Sequence, residues 1–180
     1  GADQRVLDAL ADPILHLVRN AVDHGIEPPE VRESLGKPRH GTVTLSASQS
    51  GRFVEIRASD DGRGVDPRGV AAAAVRAGLL SERDVARMTT EELYEQLFRP
   101  SFSTKGDVTD VSGRGVGLDV VKRVVEELGG SVRVRSEIGR GTEFVLRVPV
   151  SSALVDALVG EAGRAVLAIP AAYGERALVA

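Results

Sequence analysis

Residues 112–130 read SGRGVGLDVVKRVVEELGG, a glycine-rich loop that leads directly into an amphipathic segment. From Val116 to Leu128 apolar residues recur at helical spacing between charged ones, and two glycines follow as a helix stop. Glycines allow backbone amides to crowd around an anion, and the amino terminus of a helix adds a positive field. The stretch therefore indicates a phosphate site. Its candidate contacts are Ser112, Gly113, Arg114, Gly115, Val116, Gly117 and Leu118.

The residues before this motif narrow the kind of phosphate site. A Walker loop requires the pattern G-x-x-x-x-G-K-[ST], which is absent, and a dinucleotide-binding fold requires a strand directly before the glycines. Here residues 99–115 form a polar loop that carries Lys105 and is bordered by Phe98 and Phe102. One interpretation is a mobile lid with two aromatic anchors; the other is that both rings are ordinary core residues.

A second polar motif lies on a helix that is predicted to begin at Asp12 and Pro13 and to end near Gly25. One face of this helix is apolar, and an asparagine on the other face offers a hard oxygen ligand that Mg²⁺ accepts beside phosphate oxygens and water. The polar stripe therefore suits a magnesium–phosphate site, and the alternative is a solvated polar face. Its members are His16, Asn20, Asp23 and His24.

An aspartate shares the apolar side of a predicted strand, because Asp60 has the same parity as Ile56. Such an inward carboxylate can accept a hydrogen bond from an adenine amino group, and Gly62 and Gly64 let the chain turn and approach the base. The alternative is an ordinary turn after a strand. Thr142 faces inward on the last main strand and could reach the base beside Asp60; the alternative is a buried hydroxyl bonded to backbone.

The remaining pattern defines the order of elements. Residues 26–40 are punctuated by proline and glycine and are expected to form a surface excursion with one short helix. Residues 153–169 hold two apolar runs around a Gly163–Arg164 turn and predict a hairpin that either joins the main sheet or begins a second unit. Strands are predicted at 42–48, 53–60, 131–136 and 142–150, and helices at 67–77, 81–87 and 90–97.

Composition limits the classes of function. The 180 residues suffice for one main domain, and the 42% hydrophobic and 27% charged content is typical of a folded globular chain. The chain has no cysteine, which excludes thiolate metal sites, and its net charge of -3 argues against nonspecific nucleic-acid binding. No long apolar run and no basic-then-apolar start is present, so we expect a cytoplasmic protein without membrane insertion.

Five motifs, taken in chain order, resemble the N, G1, F, G2 and G3 boxes of histidine-kinase catalytic domains, which belong to the GHKL ATPase superfamily. The excursion at 25–42, the helical insert before residue 98 and the run SGRGVGLDVVK resemble the chemotaxis kinases of the CheA type. Residues 153–180 resemble the start of a CheW-like regulatory domain, which would divide the chain into 1–152 and 153–180. The motifs are HLVRNAVDHG at 16–25, DDGRG at 60–64, FRPSFSTK at 98–105, SGRGVGL at 112–118 and GRGT at 139–142.

This resemblance implies an α/β fold, a two-layer α/β sandwich of the Bergerat (GHKL) type, with a mixed sheet, helices on one face and a flexible ATP lid. It implies that ATP and Mg²⁺ are the cofactors. Asn20 would coordinate Mg²⁺, Asp60 would read the adenine amino group and Thr142 would support the base. The lid glycines would contact the phosphates near Lys105. The imidazoles expected close to the triphosphate are His16, which would assist transfer, and His24.

The resemblance also implies a reaction, the transfer of the ATP γ-phosphate to a protein histidine in two-component signalling. Hydrolytic relatives such as gyrase and the mismatch-repair ATPases carry a glutamate four residues before the metal-binding asparagine to activate water, whereas this chain has His16. None of its three histidines, His16, His24 and His40, is followed by the acidic residue typical of acceptor sites. We therefore expect the acceptor on another domain and little turnover by this fragment alone.

The partners implied are a histidine phosphoacceptor domain, a response regulator, and a CheW-like adaptor with chemoreceptors. Two other functions stay open on the sequence. The chain could be a nonenzymatic signalling module that only binds nucleotide, or a hydrolytic GHKL ATPase that releases phosphate without an acceptor.

Overall fold

The computed structural model describes residues 2–100, 102, 117–150, 158–162, 165–169 and 175–179. For residues 2–5 and for the last three of these ranges it describes the backbone alone. The helices are α1 (Ala2–Asn20), α2 (Pro29–Ser34), α3 (Pro67–Arg76), α4 (Glu82–Val85), α5 (Thr90–Tyr94) and α6 (Leu118–Glu127). A π-helical turn, Ala21–Gly25, follows α1, and a 3₁₀ turn, Glu95–Phe98, follows α5. The strands are β1 (Thr42–Ser50), β2 (Phe53–Asp60), β3 (Ser131–Glu137), β4 (Gly141–Pro149), β5 (Leu158–Ala162), β6 (Ala165–Ile169) and β7 (Glu175–Val179).

Within the described residues, five strands form the main sheet in the order β3-β4-β2-β1-β7, and β5 and β6 pair separately. The α/β fold class is confirmed, with one correction: the sheet expected to be mixed is antiparallel in each described pairing. For two of these pairs, β1–β2 and β3–β4, the reason is local. Gly51 and Arg52 alone separate β1 from β2, and a short loop joins β3 to β4, whereas a parallel neighbour requires a crossover of a dozen or more residues.

The core lies between the helices and one face of the sheet. Alternate residues of β2 and β4 point into it, and they meet apolar side chains of α1, α6 and the 3₁₀ turn. The inward parity predicted for these two strands is confirmed. The fully buried members include Leu10, Ile56, Val121, Val125, Leu146 and Val148.

The predicted start of the first helix is wrong, because α1 begins at Ala2 and passes through Pro13. A proline within a helix removes one backbone hydrogen bond and disfavours the preceding turn. Leu10 and Leu17 lie on either side of Pro13 and are 0% and 2% exposed. Burial of this apolar face keeps the helix continuous across the proline. The predicted end at Gly25 is confirmed, although the last five residues are π-helical.

The carboxyl-terminal part contains the predicted hairpin, since β5 and β6 pair antiparallel from Leu158 opposite Ile169 to Ala162 opposite Ala165. The sequence did not predict β7, which extends the main sheet beside β1. The division of the chain at residue 152 stays a prediction. Among the described residues, no helix has both the length and the apolar character needed to cross a membrane.

Candidate nucleotide site

An amide and an imidazole are paired on the polar face of α1. Asn20 Nδ2 donates a hydrogen bond to His16 Nε2 at 2.9 Å, and both side chains are half-buried. Burial lowers the pKa of His16, as does the charge of Arg19, while Asp119 acts in the opposite direction. The neutral imidazole is the form that can accept from an amide. With its nitrogen bonded to His16, Asn20 retains its Oδ1 oxygen as a ligand atom.

The start of α6 lies beside this pair, because α6 packs against α1 and the Asp119 charge acts on His16. Gly117 caps the amino end of α6, and a Cβ atom there would lie 2.5 Å from Asp119 Oδ1. The fold thus brings the end of the glycine motif to the polar face of α1. The sequence did not single out Asp119, although a carboxylate in the first turn of a helix is a recognisable feature.

Asp60 ends β2 with its carboxylate half-buried on the inward side. Its Oδ1 accepts a hydrogen bond from the Gly62 amide at 2.9 Å. Burial raises the pKa of Asp60 and outweighs the backbone amides of Gly62 and Thr142, which lower it; the charges of Asp61 and Glu27 raise it further. A carboxylate that is only partly compensated in this way is open to another donor.

Close backbone packing joins the end of the π-helical turn to residues 60–64, which we call the Asp60 loop. A Cβ atom at Gly25 would lie 3.0 Å from Asp60 Oδ1, and one at Gly62 would overlap the Gly25 carbonyl. The Arg63 amide donates to the same carbonyl at 2.9 Å. Gly64 has a φ of 72° and packs on the Glu137 backbone. These glycines are explained by contact between protein segments, and their approach to a base stays a prediction.

Thr142 lies directly opposite Asp60 across β2 and β4. Its Oγ1 is 3.0 Å from Ser136 Oγ, which donates to the Gly141 carbonyl and accepts from the Val65 amide. Since the single Ser136 proton is directed to Gly141, Thr142 donates to Ser136 and keeps lone pairs for another donor. The alternative, that Thr142 is a buried hydroxyl bonded to backbone, is thus partly correct: the hydroxyl is buried and hydrogen-bonded, but its partner is the side chain of Ser136.

Other predicted site residues are less enclosed or lie outside the description. Asp23 and His24 are exposed on the π-helical turn, and Leu118 is half-buried. Phe98 is buried against Phe144, with ring centroids 6.3 Å apart, and Phe102 packs on the same core, which agrees with the core interpretation. The residues outside the described ranges are Lys105, Ser112, Gly113, Arg114, Gly115 and Val116.

A cluster of charged side chains that the sequence did not predict forms hydrogen bonds with the Asp60 loop. It consists of Glu27, Arg32 and Lys37, and we call it the excursion cluster. The side chains of Arg32 and Glu27 are 1% and 4% exposed and form an ion pair of 3.1 Å. Arg32 also pairs with Asp61 at 2.9 Å. A charged stretch between prolines is typical of solvated surface. Arg32 pairs with Asp61, which lies 29 positions further along the chain, and so distant a contact leaves no pattern in the neighbouring sequence.

The described part of the chain contains no group of three or more His, Cys, Asp or Glu side chains that could hold a metal ion. Asn20 Oδ1 is nevertheless the kind of oxygen that suits Mg²⁺, which commonly keeps waters and phosphate oxygens as its other ligands. The donor set therefore fits an ion that arrives with a triphosphate.

An α/β sandwich that gathers an amide, a half-buried carboxylate and a helix amino terminus at one end fits a nucleotide-binding domain. The chain belongs to the histidine kinase-, DNA gyrase B- and HSP90-like ATPase family, whose model matches residues 8–152. Membership of this family supports the use of a nucleotide.

Individual proteins resemble the chain over most of its length. It is 45% identical to the gliding motility regulatory protein of Myxococcus xanthus over 96% of this chain and 22% of that protein. It is 46% identical to the chemotaxis protein CheA of Treponema pallidum over 94% of this chain and 21% of that protein. The chain thus spans about a fifth of the length of these relatives.

Among solved structures, the nucleotide-free catalytic domain of the histidine kinase ThkA aligns with a TM-score of 0.45 and 18% identity, over 79% of this chain and 65% of that one.

Proposed function

We propose that this chain is the ATP-binding catalytic domain of a chemotaxis-type histidine kinase, which transfers the γ-phosphate of Mg-ATP to a histidine on a separate domain. The observation that carries the proposal is the contact of Gly25 with the Asp60 carboxylate. It places the end of the helical segment that bears Asn20 against the group suited to an adenine amino group. Similarity to the protein named chemotaxis protein CheA supports the type of kinase.

At the base end of the site, Asp60 would accept a hydrogen bond from the adenine amino group. Burial makes its free carboxylate costly, and a donor from the base would replace part of the lost solvation. Thr142 stands opposite on β4 and offers a second acceptor. Guanine carries a carbonyl oxygen at the same position of the ring, so these two acceptors favour adenine.

At the phosphate end, Asn20 would bind Mg²⁺ through Oδ1 while His16 holds the amide nitrogen. When bound, the metal would neutralise charge on the phosphates, the main requirement of phosphoryl transfer. The amino end of α6 would bring its positive field to the same region. Lys105 and the glycines at 113, 115 and 117 are proposed to complete the phosphate contacts.

The residue at position 16 favours transfer over hydrolysis. The Nε2 atom of His16 accepts from Asn20, so this ring nitrogen is not available to take a proton from water. The side chain therefore serves best as a positioning group for Asn20. Steady release of phosphate requires an activated water, whereas transfer to a histidine requires that the acceptor imidazole be positioned against the γ-phosphate.

The proposed partners follow from this reaction: a histidine phosphoacceptor domain supplies the acceptor, and a response regulator takes the phosphoryl group from it. A CheW-like adaptor and chemoreceptors would control the rate, and the setting would be the cytoplasm. We also propose that residues 153–180 begin a CheW-like regulatory unit after a catalytic domain at 1–152.

The test is to mix the chain with a CheA phosphoacceptor domain, Mg²⁺ and ATP labelled on the γ-phosphate. We expect label on the acceptor histidine, and none on an acceptor whose histidine is replaced by glutamine. ATP binding without any label on histidine would favour a nonenzymatic signalling module. Steady phosphate release without an acceptor would indicate a hydrolytic ATPase.

A further inference from the structure

The excursion cluster makes more contacts with the Asp60 loop than an ion pair between Arg32 and Glu27 requires. Lys37 Nζ donates to the Asp61 carbonyl at 3.0 Å and to the Gly62 carbonyl at 2.8 Å, and it pairs with Glu27 Oε1 at 2.8 Å. Two consecutive peptide groups of the loop are therefore held by one ammonium group.

Arg32 connects the same loop to Glu27, which precedes α2, and to Pro38, which follows it. Its Nε donates to the Pro38 carbonyl at 2.8 Å, its Nη1 to the Asp61 carbonyl at 3.2 Å, and its Nη2 to Asp61 Oδ2 at 2.9 Å. The other oxygen of that carboxylate accepts from the Thr42 amide at 2.8 Å. Because a guanidinium is planar and rigid, its partners must keep their relative positions for all these bonds to form.

These contacts reach the Asp60 carboxylate through a single residue. Gly62 accepts from Lys37 at its carbonyl and donates from its amide to Asp60 Oδ1 at 2.9 Å. The Gly62 amide shares one planar peptide group with the Asp61 carbonyl, which also accepts from Lys37 at 3.0 Å, so a shift of that peptide group would move both bonds together. The Gly25 backbone packs against the carboxylate on its other side, so the orientation of the Asp60 carboxylate depends on the position of Gly62.

We propose that Arg32 and Lys37 are positioning residues for base recognition: by holding the Asp61–Gly62 backbone they fix the Asp60 carboxylate in the place that selects adenine over guanine. The inference rests on the proposed function, since it takes Asp60 as the group that reads the base. Neither side chain is placed at the nucleotide itself, and both act through the loop.

Stability alone does not account for the cluster. Buried ion pairs are often no more stabilising than apolar residues of the same volume, because the charges lose their hydration. The Arg32 guanidinium instead fixes the relative positions of the three segments that it bonds, at Glu27, Pro38 and Asp61. Selectivity for the base therefore tests the proposal better than a melting temperature does.

The decisive variant is Lys37→Met. It removes the two carbonyl contacts and the 2.8 Å ion pair with Glu27, and it leaves the bonds of Arg32 to Glu27 and Asp61 in place. The buried Glu27 carboxylate therefore keeps a cationic partner, and the variant is expected to fold. Arg39→Met is the matched control, because Arg39 lies on the same excursion but pairs with Glu30 and Glu33 at the surface. Lys37→Arg retains a cation and serves as the rescue.

The measurement is the dissociation constant of the 180-residue chain for Mg-ATP and for Mg-GTP, with circular dichroism as the check of folding. We expect Lys37→Met to weaken ATP binding about tenfold with little change for GTP, because one hydrogen bond to the base is misplaced. Arg39→Met should match the wild type, and Lys37→Arg should recover most of the ratio. In an Asp60→Asn background, Lys37→Met should cause no further loss for ATP.

An unchanged ATP-to-GTP ratio in folded Lys37→Met, or an equal loss for both nucleotides, would overturn the inference and leave the proposed function intact. Absence of ATP binding by the wild type would instead remove the proposed function itself. Should Lys37→Met fail to fold, the same comparison is made with Lys37→Gln, whose shorter, uncharged side chain ends before the position of Nζ and so gives up the contacts with the two carbonyls, and an unchanged ratio there overturns the inference equally.

Discussion

The Asp60 carboxylate lies against the backbone of Gly25, where a Cβ atom would stand 3.0 Å from Oδ1 and 3.1 Å from Oδ2. Gly25 ends the π-helical turn after α1, and Asp60 ends β2. This contact joins the helix that carries Asn20 to the strand that carries the carboxylate. The two ends of the proposed nucleotide site are thereby fixed relative to each other.

Replacement of Gly25 by alanine tests this contact. The added methyl group would displace the Asp60 carboxylate by a few tenths of an ångström, and we expect ATP affinity to fall about tenfold. Gly69→Ala is the control, because a Cβ atom there would lie 3.7 Å from its nearest neighbour, within α3. That change should raise the free energy of unfolding by about 0.5–1 kcal/mol and leave ATP binding as it is. Wild-type affinity in Gly25→Ala would contradict the contact's role.

Asp60→Asn should separate stability from binding. Burial first, and then the nearby Asp61 and Glu27 charges, raise the pKa of Asp60 in the folded state. The contribution of this group to stability is therefore present at low pH and is lost as the pH rises through the raised pKa. At pH 7 the uncharged variant should melt at or above the wild type, and the advantage should shrink as the pH falls.

In the same variant, ATP affinity should fall by about one to two decades, or about 1–3 kcal/mol, because an adenine hydrogen bond is mispaired. Thermal melts at several pH values and a nucleotide titration measure the two effects. A variant that melts below the wild type at pH 7 and keeps its ATP-over-GTP preference would refute both the electrostatic cost and the role in base recognition.

Asn20→Asp changes the proposed metal ligand. A carboxylate cannot donate to His16 Nε2, so the 2.9 Å pair could persist only with the imidazole N–H donating to the carboxylate, which would engage an oxygen needed for the metal. We expect Mg-dependent nucleotide binding or phosphoryl transfer to be abolished. Gln49→Glu makes the same amide-to-carboxylate change where the side chain bonds the Gly51 carbonyl at the surface, and it should have no effect. Full activity of Asn20→Asp would mean that the metal assignment is wrong.

Much of the site followed from short-range patterns. The parity of β2 predicted that Asp60 would face inward, and the helical spacing of His16 and Asn20 predicted that they would share a face of α1. Both are local consequences of backbone geometry. The meeting of Thr142 with Asp60 was expected from shared inward parity and required the antiparallel register of β2 and β4 to be realised.

What could not be predicted depends on distant partners. Pro13 suggested a helix start, but burial of Leu10 and Leu17 in the core kept α1 continuous. Arg32 lies in a charged segment typical of surface, yet after folding its side chain is buried and pairs with the distant Asp61. The strand β7 exists through its pairing with the edge of β1, which no pattern within residues 175–179 indicates.

A crystal structure of the chain with Mg²⁺ and a non-hydrolysable ATP analogue is the sharpest test of the proposed site. We expect the adenine amino group within hydrogen-bond distance of the Asp60 carboxylate and the metal ion on Asn20 Oδ1, in one continuous pocket. A nucleotide bound elsewhere, with neither Asp60 nor Asn20 in contact with it, would show that the proposed site is wrong.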